Sequence, residues 1–410
     1  MKFFTHTLNI GVAIIPFFFW SCSEEPISSD LTHSRLQLDT ITVSNLQFEN
    51  YLVYPNIGSN EKLFLGQKNN IDAPLTFIEM QTPYPVDYWG YLTDSNITVD
   101  SVRLFVYSND SLLNEHSTPN LYFSPDSQFD ENKSTYLDFD GFSLSSWENL
   151  GLPRIVKDID DSLNTFINTS LVWSLDTLIN VLYDTSDTNL ARNFGLQFSD
   201  NSSNFIELIS EEASYQVTDP MVKIYYHFEM SSADTTVYDT SFATIYSSKD
   251  LSIIKPDQSI IDSSKIGVSN GIGLRTRLNI SFTTETIPEG ALIKSANLII
   301  PVDSTLSDSG YKIILDPIQI DSTFLLYPSF IFLSDPFISF GTPYRISNMI
   351  NNKDYIVSVK EYFQNIILGN VKNIGFKIVS DTKNDPFQSA WFKLNEMGNR
   401  PHIKIIYASY

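Results

Sequence analysis

One strand signature occurs twice in this chain, and it limits the folds that the chain can adopt. The clearer copy begins at Asn373-Ile374-Gly375 and ends in an alternating strand that starts after Pro401. The earlier copy begins at Asn193-Phe194-Gly195, and its closing strand follows Pro220. Glycine and proline lie 25 residues apart in the earlier copy (195 and 220) and 26 apart in the later one (375 and 401). Two matching patterns at nearly equal spacing predict one domain type used twice.

Short strands separated by turn residues fill both halves of the chain. Thr98–Tyr107 alternates, with Val102, Leu104 and Val106 on one face, and Ser295–Ile300 repeats this pattern in the second half. Clusters of Asn, Asp, Ser, Pro and Gly lie between such stretches and are typical of turns. Aromatic residues, which favour strands, make up 13% of the chain. We therefore predict an all-β protein with two tandem antiparallel β-sandwich domains of jelly-roll type.

Each half also contains one short helical pattern, at Leu175–Leu190 and at Val357–Ile367. A stretch of mostly small and polar residues at 229–236 separates the halves. We assign residues 36–229 to the first sandwich and residues 237–410 to the second.

The second half resembles the DNRLRE-type domain family. The resemblance rests on five stretches: Ile266–Gly271, Arg275–Phe282, Ile287–Leu298, Asn373–Gly375 and Gly398–Pro401. It covers about residues 237–408, and in the first half Gln67-Lys68-Asn69 stands where the family has a glycine-rich turn. The resemblance implies a jelly-roll sandwich of the kind found in bacterial surface and secreted proteins, often beside carbohydrate-active modules.

The first residues form a targeting pattern. Met1-Lys2 is positively charged, Leu8–Trp20 is apolar and too short to span a bilayer, and Ser21 precedes the lone cysteine, Cys22. Residues 1–21 therefore resemble a bacterial lipoprotein signal peptide, in which Cys22 becomes the lipidated first residue. An ordinary secretory signal with an incidental cysteine is the alternative.

Residues 22–35 are rich in Ser and Glu and are typical of a flexible tether. The acidic Ser23-Glu24-Glu25 resembles the surface-export signal of Bacteroidota lipoproteins, although a tether without any signal is also consistent with it. The resemblance implies an exported protein on the cell surface, held to the outer membrane by the lipid on Cys22. No later apolar run approaches the length of a transmembrane helix.

The charge balance excludes several partners and sites. With 48 acidic and 26 basic residues the net charge is −22, which argues against nucleic-acid binding and against a polybasic membrane patch. Because Cys22 is the only cysteine, the chain can form no internal disulfide and no thiolate zinc site.

We expect no cofactor, with calcium as a weak possibility. Asp158, Asp160 and Asp161 form an acidic group that could bind calcium between loops, but solvated turns explain these residues more simply. No two of the five histidines have the i, i+4 spacing of a helical zinc site.

Three tryptophans are the candidate ligand-binding residues. Alternation around Trp391 places it on one face with Ser389 and Lys393, where its ring could stack on a sugar. Trp89 and Trp147, in the loop-rich first half, are further candidates. The alternative is that each ring is covered by a loop or by the other domain.

No catalytic motif is recognisable in the sequence, which has neither a nucleophile elbow nor a phosphate loop. We therefore predict a non-catalytic cell-envelope lipoprotein that binds glycans or envelope proteins at the surface. A structural or assembly lipoprotein without a small-molecule ligand is the first alternative. A polysaccharide hydrolase with its site between the domains is the second.

Overall fold

The computed structural model describes most of the chain after residue 36. The described residues are 37–69, 71–80, 87–114, 117–126, 129–160, 165–183, 190–199, 204–213, 216–232, 235–256, 265–281, 287–288, 290–323, 331–350, 353–394 and 400–409. The predicted signal peptide (1–21), the tether and the lipidation site Cys22 lie outside them.

The described chain is built mainly of strands. In chain order they are β1 (Gln37–Val43), β2 (Leu46–Val53), β3 (Lys62–Lys68), β4 (Ile71–Met80), β5 (Ile97–Ser108), β6 (Asn120–Ser124), β7 (Glu148–Gly151), β8 (Arg154–Asp160), β9 (Thr165–Ser174), β10 (Asn193–Gln197), β11 (Phe205–Ile209), β12 (Met221–Ser232), β13 (Thr235–Pro256), β14 (Ile266–Val268), β15 (Leu274–Ile280), β16 (Leu292–Pro301), β17 (Lys312–Asp321), β18 (Ile331–Phe332), β19 (Phe337–Ser339), β20 (Ile346–Met349), β21 (Asp354–Ser358), β22 (Phe376–Ser380), β23 (Ala390–Phe392) and β24 (His402–Ser409). The α-helices in the described residues are α1 (Ile179–Leu182) and α2 (Lys360–Ile367). Short 3₁₀ helices lie at Tyr88–Leu92, Leu144–Ser146, Asp176–Leu178 and Gln216–Thr218.

The first sandwich is organised around the long strand β13. Residues 235–246 of β13 pair with β12, in a layer ordered β13-β12-β5-β9-β8. Residues 247–256 pair with β4, in a layer ordered β7-β6-β10-β4-β13. Strand β3 also pairs with β4, and β11 pairs with β3. Buried side chains from both layers meet in one core, for example Ile78 and Phe194 with Val102 and Val222. The alternating apolar residues of these strands therefore face inward between two layers, as a sandwich requires.

The second sandwich pairs a four-stranded layer, β1-β24-β16-β21, with a layer ordered β18-β2-β15-β22-β17-β19. Leu298 and Ile403 of the first layer share a fully buried core with Leu278 and Ile313 of the second. Helix α2 packs the buried side chains Tyr362, Phe363, Ile366 and Ile367 onto this core. The predicted all-β sandwich fold is confirmed, and nearly all strand pairs are antiparallel.

Strand pairing divides the chain at other positions than those assigned from the sequence. Strands β1 and β2, which the sequence assignment places in the first sandwich, pair with β24 and β15 of the second. Strand β13, which the assignment gives largely to the second half, lies in the first sandwich. Period-two alternation identifies a strand and its buried face, but it carries no information about which distant strand becomes the neighbour.

The two helices are shorter than their sequence patterns. In the predicted range Leu175–Leu190 the helical residues are Asp176–Leu182, and 184–189 lie outside the described residues. In the range Val357–Ile367 the helix begins at Lys360, because Tyr355 and Val357 are buried on strand β21. No helix in the described parts of the chain has both the length and the apolar content for crossing a membrane.

Polar and aromatic contacts join the two sandwiches. The buried Asn60 amide donates to the carbonyl oxygens of Thr382 and Asn384, each at 3.0 Å, and Asn60 Oδ1 accepts from Lys62 N at 3.1 Å. Phe387 of the second sandwich inserts into a small core of the first, 5.2 Å from the ring of Phe64. The segment after β2 is therefore fastened to the loop that precedes β23.

Replacing Asn60 by Ala should weaken this junction. The change leaves three backbone groups without their partner at a buried position, so we expect the free energy of unfolding to fall by about 2 kcal/mol. Urea denaturation of the protein measures this quantity. Asn297→Ala, on an exposed face of β16, is the control and should change stability little. Equal effects of the two changes would contradict the role given to Asn60.

Gly273 should tolerate substitution less well than Gly290. Both have positive φ, +72° and +78°, so alanine costs about 1–2 kcal/mol of backbone strain at either position. A Cβ at Gly273 would also lie 1.9 Å from Val53 O, where β2 meets β15, whereas at Gly290 it would meet open space. Gly273→Ala should therefore lower the thermal midpoint of unfolding well below that of Gly290→Ala. Similar midpoints would show that β2 does not lie against Gly273.

Candidate functional site

The candidate site is a polar cleft between the two sandwiches, with a cavity volume of about 640 Å³. This volume falls in the range of small-molecule sites. Its walls come from the segment 53–59 after β2, from residues 132–135 of the first sandwich, and from the second sandwich. The interface therefore encloses a cleft and is not flat.

The segment after β2 forms one wall of the cleft, and it also holds the neighbouring wall at residues 132–135 in place. Asn56 Nδ2 donates to the carbonyl oxygens of Glu131 at 2.9 Å and Ser134 at 2.7 Å. The Tyr54 ring meets the Tyr136 ring edge to face, with centroids 5.5 Å apart. These contacts bring the loop of the first sandwich against the second.

Asp335 organises the floor of the cleft. Its Oδ2 accepts from Lys377 Nζ at 2.9 Å and forms an ion pair with Arg275, while its Oδ1 accepts from Phe337 N at 3.0 Å. The Tyr51 hydroxyl donates to Oδ1 at 3.3 Å. Burial, together with the Asp335 charge, raises the pKa of Tyr51, so this hydroxyl keeps its proton. Two cations and two neutral donors therefore hold one carboxylate in a fixed position.

Two further cations have groups open to the cleft. Arg345 is half exposed, and its Nε lies 3.6 Å from Oδ2 of the buried Asp316. This is too long for a strong hydrogen bond. Lys133 is 82% exposed and bonds the exposed Asp130 at 2.9 Å. A surface pair of this kind contributes little and is easily exchanged for a ligand.

The lining carries more positive than negative charge. Its cations are Lys133, Arg275, Arg345 and Lys377, and its anions are Asp316 and Asp335. In a chain of net charge −22, this cleft is a local reversal of the overall charge. Such an arrangement attracts an anionic, hydrogen-bonding ligand and repels a cationic one.

The structure places the predicted tryptophans away from this cleft. Trp89 is fully buried in the 3₁₀ helix Tyr88–Leu92, with the Arg192 guanidinium 4.5 Å from its ring. Because no face of this ring reaches solvent, Trp89 has no surface for stacking on a sugar, which corrects the prediction for this residue. Loop composition around Trp89 indicated exposure, but its core packing comes from strands distant in the sequence.

Trp147 and Trp391 are half-buried. Trp147 packs against Phe77 and Phe142, with centroids 5.8 and 6.1 Å away. Trp391 lies on β23 between the buried Ala390 and Phe392, so the predicted alternation is confirmed. Its Nε1 donates to Ser389 Oγ at 2.9 Å. A ligand-binding role for these two residues stays a prediction.

Exposed aromatic rings lie instead on the outer face of β12 and β13. Phe242 is 56% exposed, and Tyr246 lies on the same side of β13. Lys223 Nζ lies 5.3 Å from the Phe242 ring and 5.2 Å from the Phe105 ring. The sequence did contain a signal for this face, because Phe242 and Tyr246 alternate with the buried Ala243 and Ile245.

Of the acidic group predicted as a weak calcium candidate, the structure describes the side chain of Asp158, and a calcium site there stays a prediction. Asp158 Oδ2 accepts from Ser170 Oγ at 3.1 Å, Asp160 ends β8, and Asp161 lies outside the described residues. Among the described residues, the carboxylates that approach one another closely enough to share an ion belong to Glu131, Glu211 and Glu212. Glu131 lies 80 positions before the adjacent Glu211 and Glu212 (131 and 211), so the spacing in sequence gave no signal.

Replacing Asp335 by Asn should destabilise the cleft floor. The change leaves Arg275 and the mostly buried Lys377 without a counter-charge, so we expect the free energy of unfolding to fall by about 2 kcal/mol. Guanidinium denaturation measures the loss. Asp130→Asn removes only a surface pair and should leave the unfolding midpoint unchanged. An unchanged midpoint for Asp335→Asn would show that the three charges do not support the fold.

Comparison with known proteins places the chain in no family. No family model, no curated protein and no solved structure matches it. The resemblance of residues 237–408 to DNRLRE-type domains therefore stays a prediction.

Proposed function

We propose that the protein is a non-catalytic surface binding module whose cleft binds an anionic saccharide. The observation that carries this proposal is the excess of positive charge in a large polar cleft between two sandwiches of an otherwise acidic protein.

The chemistry of the lining suits an acidic sugar. The guanidinium of Arg345 can bind the carboxylate or sulfate group of such a sugar through two parallel hydrogen bonds. Lys133, on the opposite wall, can neutralise a second negative group. Amide and hydroxyl groups of Asn132, Asn270 and Ser334 are available in the lining for sugar hydroxyls.

The net negative charge of the protein favours binding of an anionic ligand in the cleft over binding elsewhere on the surface. A net charge of −22 repels an anionic chain from most of the surface, whereas the cleft offers it a site of opposite sign. The attraction is electrostatic, so it weakens as salt shortens the Debye length.

The ionic bonds in the cleft favour binding over catalysis. A glycoside hydrolase needs one carboxyl group to donate a proton and a second to act as nucleophile or base. Of the carboxylates in the lining, Asp335 forms ion pairs with Arg275 and Lys377, and the buried Asp316 lies 3.6 Å from Arg345 Nε. They are poor candidates for these roles, which makes the hydrolase alternative the weaker one.

The cellular location belongs to the same proposal. The lipoprotein-like residues 1–21, the lone Cys22 and the tether to residue 35 favour export and attachment of the sandwiches to the outer membrane by a lipid. A cleft displayed in this way would meet polysaccharides at the cell surface.

The alternative of a structural or assembly protein is favoured by the outer face of β12 and β13. Exposed rings such as Phe242 and Tyr246, interleaved with Lys223, are the residue types found at the centres of protein interfaces. Saccharide rings could also stack on such a face.

A double variant tests the cleft. Lys133→Gln with Arg345→Gln removes two positive charges from its walls, so affinity for an oligogalacturonate probe should fall about tenfold or more. Isothermal titration calorimetry at low and high salt measures the affinity and its dependence on charge. The matched control, Lys294→Gln with Lys404→Gln, removes two exposed cations from strands β16 and β24 and should bind as the unaltered protein does.

Three results would decide against this assignment. Absence of binding by the unaltered protein to uronate and sulfated oligosaccharides would remove the saccharide proposal and favour the assembly alternative. Equal affinity of the double variant and the unaltered protein would show that the cleft is not the binding site. Loss of binding in Phe242→Ala with Tyr246→Ala, but not in the cleft variant, would move the site to the aromatic face.

A further inference from the structure

Five carboxylates from separate segments converge beside the register shift of β13 in the first sandwich. Glu131 lies in the loop after β6, and Glu211 and Glu212 lie in the turn after β11. Asp219 lies just before β12, and Asp250 lies on β13. Carboxylate oxygens of Glu131, Glu211 and Glu212 all lie within 4.8 Å of one another. The tertiary fold therefore brings together acidic residues from separate segments.

Hydrogen bonds hold this group rigidly. Asp250 is 1% exposed; its Oδ1 accepts from Ser210 Oγ at 2.9 Å and its Oδ2 accepts from Glu211 N at 2.7 Å. The backbone N–H of Asp250 donates to Glu131 Oε1 at 2.8 Å. Asp250 therefore orients Ser210, Glu211 and Glu131, and each of its two carboxylate oxygens accepts a hydrogen bond.

The group has more acceptors than donors. Ser210 Oγ contacts a carboxylate oxygen of Glu212 as well as Oδ1 of Asp250. A hydroxyl has one proton and can donate to one of these two carboxylates only. The other carboxylate needs a second partner, which a cation beside it, a carboxyl proton or a water molecule can supply.

Asp219 adds an independent sign of a missing ligand. Its side chain is 6% exposed, and its Oδ1 is buried without a hydrogen-bond partner among the described residues. Burial and then the charge of Glu212 raise the pKa of Asp219 to about 6. A buried acceptor without a donor costs free energy unless a cation or a donor satisfies it.

One cation compensates this charge only in part. Lys249 lowers the pKa of Glu131, but it bonds Glu79 at 2.8 Å. Burial, together with the charges of Glu212 and Glu211, raises the pKa of Glu131 to about 7. The carboxylates therefore repel one another in a partly buried site.

We propose that Glu131, Glu211 and Glu212 bind a Ca²⁺ ion, with Asp219 as a fourth carboxylate and Asp250 as a positioning residue. The ligands are all oxygen atoms, which suits a hard cation. Oxygens on opposite sides of a Ca²⁺ ion lie up to about 5 Å apart, because each bond is about 2.3–2.6 Å long. The separations within 4.8 Å fit this geometry.

The ion would join three segments of the first sandwich. It would link the loop of Glu131 to the turn at Glu211 and Glu212 and to the start of β12. Lys133, two residues after Glu131, lies in the wall of the cleft. The site is nevertheless complete without the cleft, so it stands whether or not a saccharide binds there.

Calcium binding is measured on protein treated with EDTA and transferred to metal-free buffer. Titration with CaCl₂ in a calorimeter should show one saturable site, and the thermal midpoint of unfolding should rise by several degrees at saturation. MgCl₂ at the same concentrations should give a smaller rise, because Mg²⁺ keeps its waters and demands a tighter octahedron.

Glu212→Gln is the decisive variant. Glu212 is one of the three residues whose carboxylate oxygens lie within 4.8 Å of one another, so its loss should weaken Ca²⁺ binding about tenfold or more while relieving repulsion, which leaves the metal-free thermal midpoint unchanged or higher. Asp158→Asn is the control and should bind Ca²⁺ as the unaltered protein does. The proposal is overturned if the unaltered protein shows no saturable Ca²⁺ binding, if Glu212→Gln binds equally well, or if Mg²⁺ stabilises as strongly as Ca²⁺.

Discussion

The architecture depends on the pairing of strand β2 with strand β15. This pairing runs from Leu46 opposite Ile280 to Leu52 opposite Leu274, and it places the N-terminal strands in the sandwich that is otherwise built from the second half. The chain must then cross to the first sandwich to begin β3. The crossing segment becomes the wall of the cleft and carries Asn60, which bonds the opposite body. One register therefore positions both the interface and the cavity.

Charge is distributed in this molecule by the fold and not by composition. A chain with net charge −22 presents a cleft with surplus cations and, nearby, a half-buried group of carboxylates. One loop carries Glu131 toward the acidic group and Lys133 toward the cleft. Opposite electrostatic environments therefore share one short segment, whose position is held by Asn56.

Local patterns predicted local features well. Alternation at Ala390, Trp391 and Phe392 correctly separated buried from half-exposed side chains, and the same alternation identified the all-β class. The burial of Trp89 was not predicted in this way, because a short loop motif has no periodicity that indicates which side chains are buried. Neither the cleft nor the carboxylate group could be predicted, since their members come from strands and loops far apart in the chain.

The sequence by itself determined the element type, since side-chain alternation and turn residues act over a few neighbouring positions. It also determined the acidic surface and the absence of any thiol chemistry beyond Cys22. Only the tertiary structure decided that β1 and β2 complete the second sandwich, that the interface encloses a cavity, and that the carboxylate of Glu131 meets those of Glu211 and Glu212. Strand partners are selected by long-range packing and edge pairing, which no local pattern encodes.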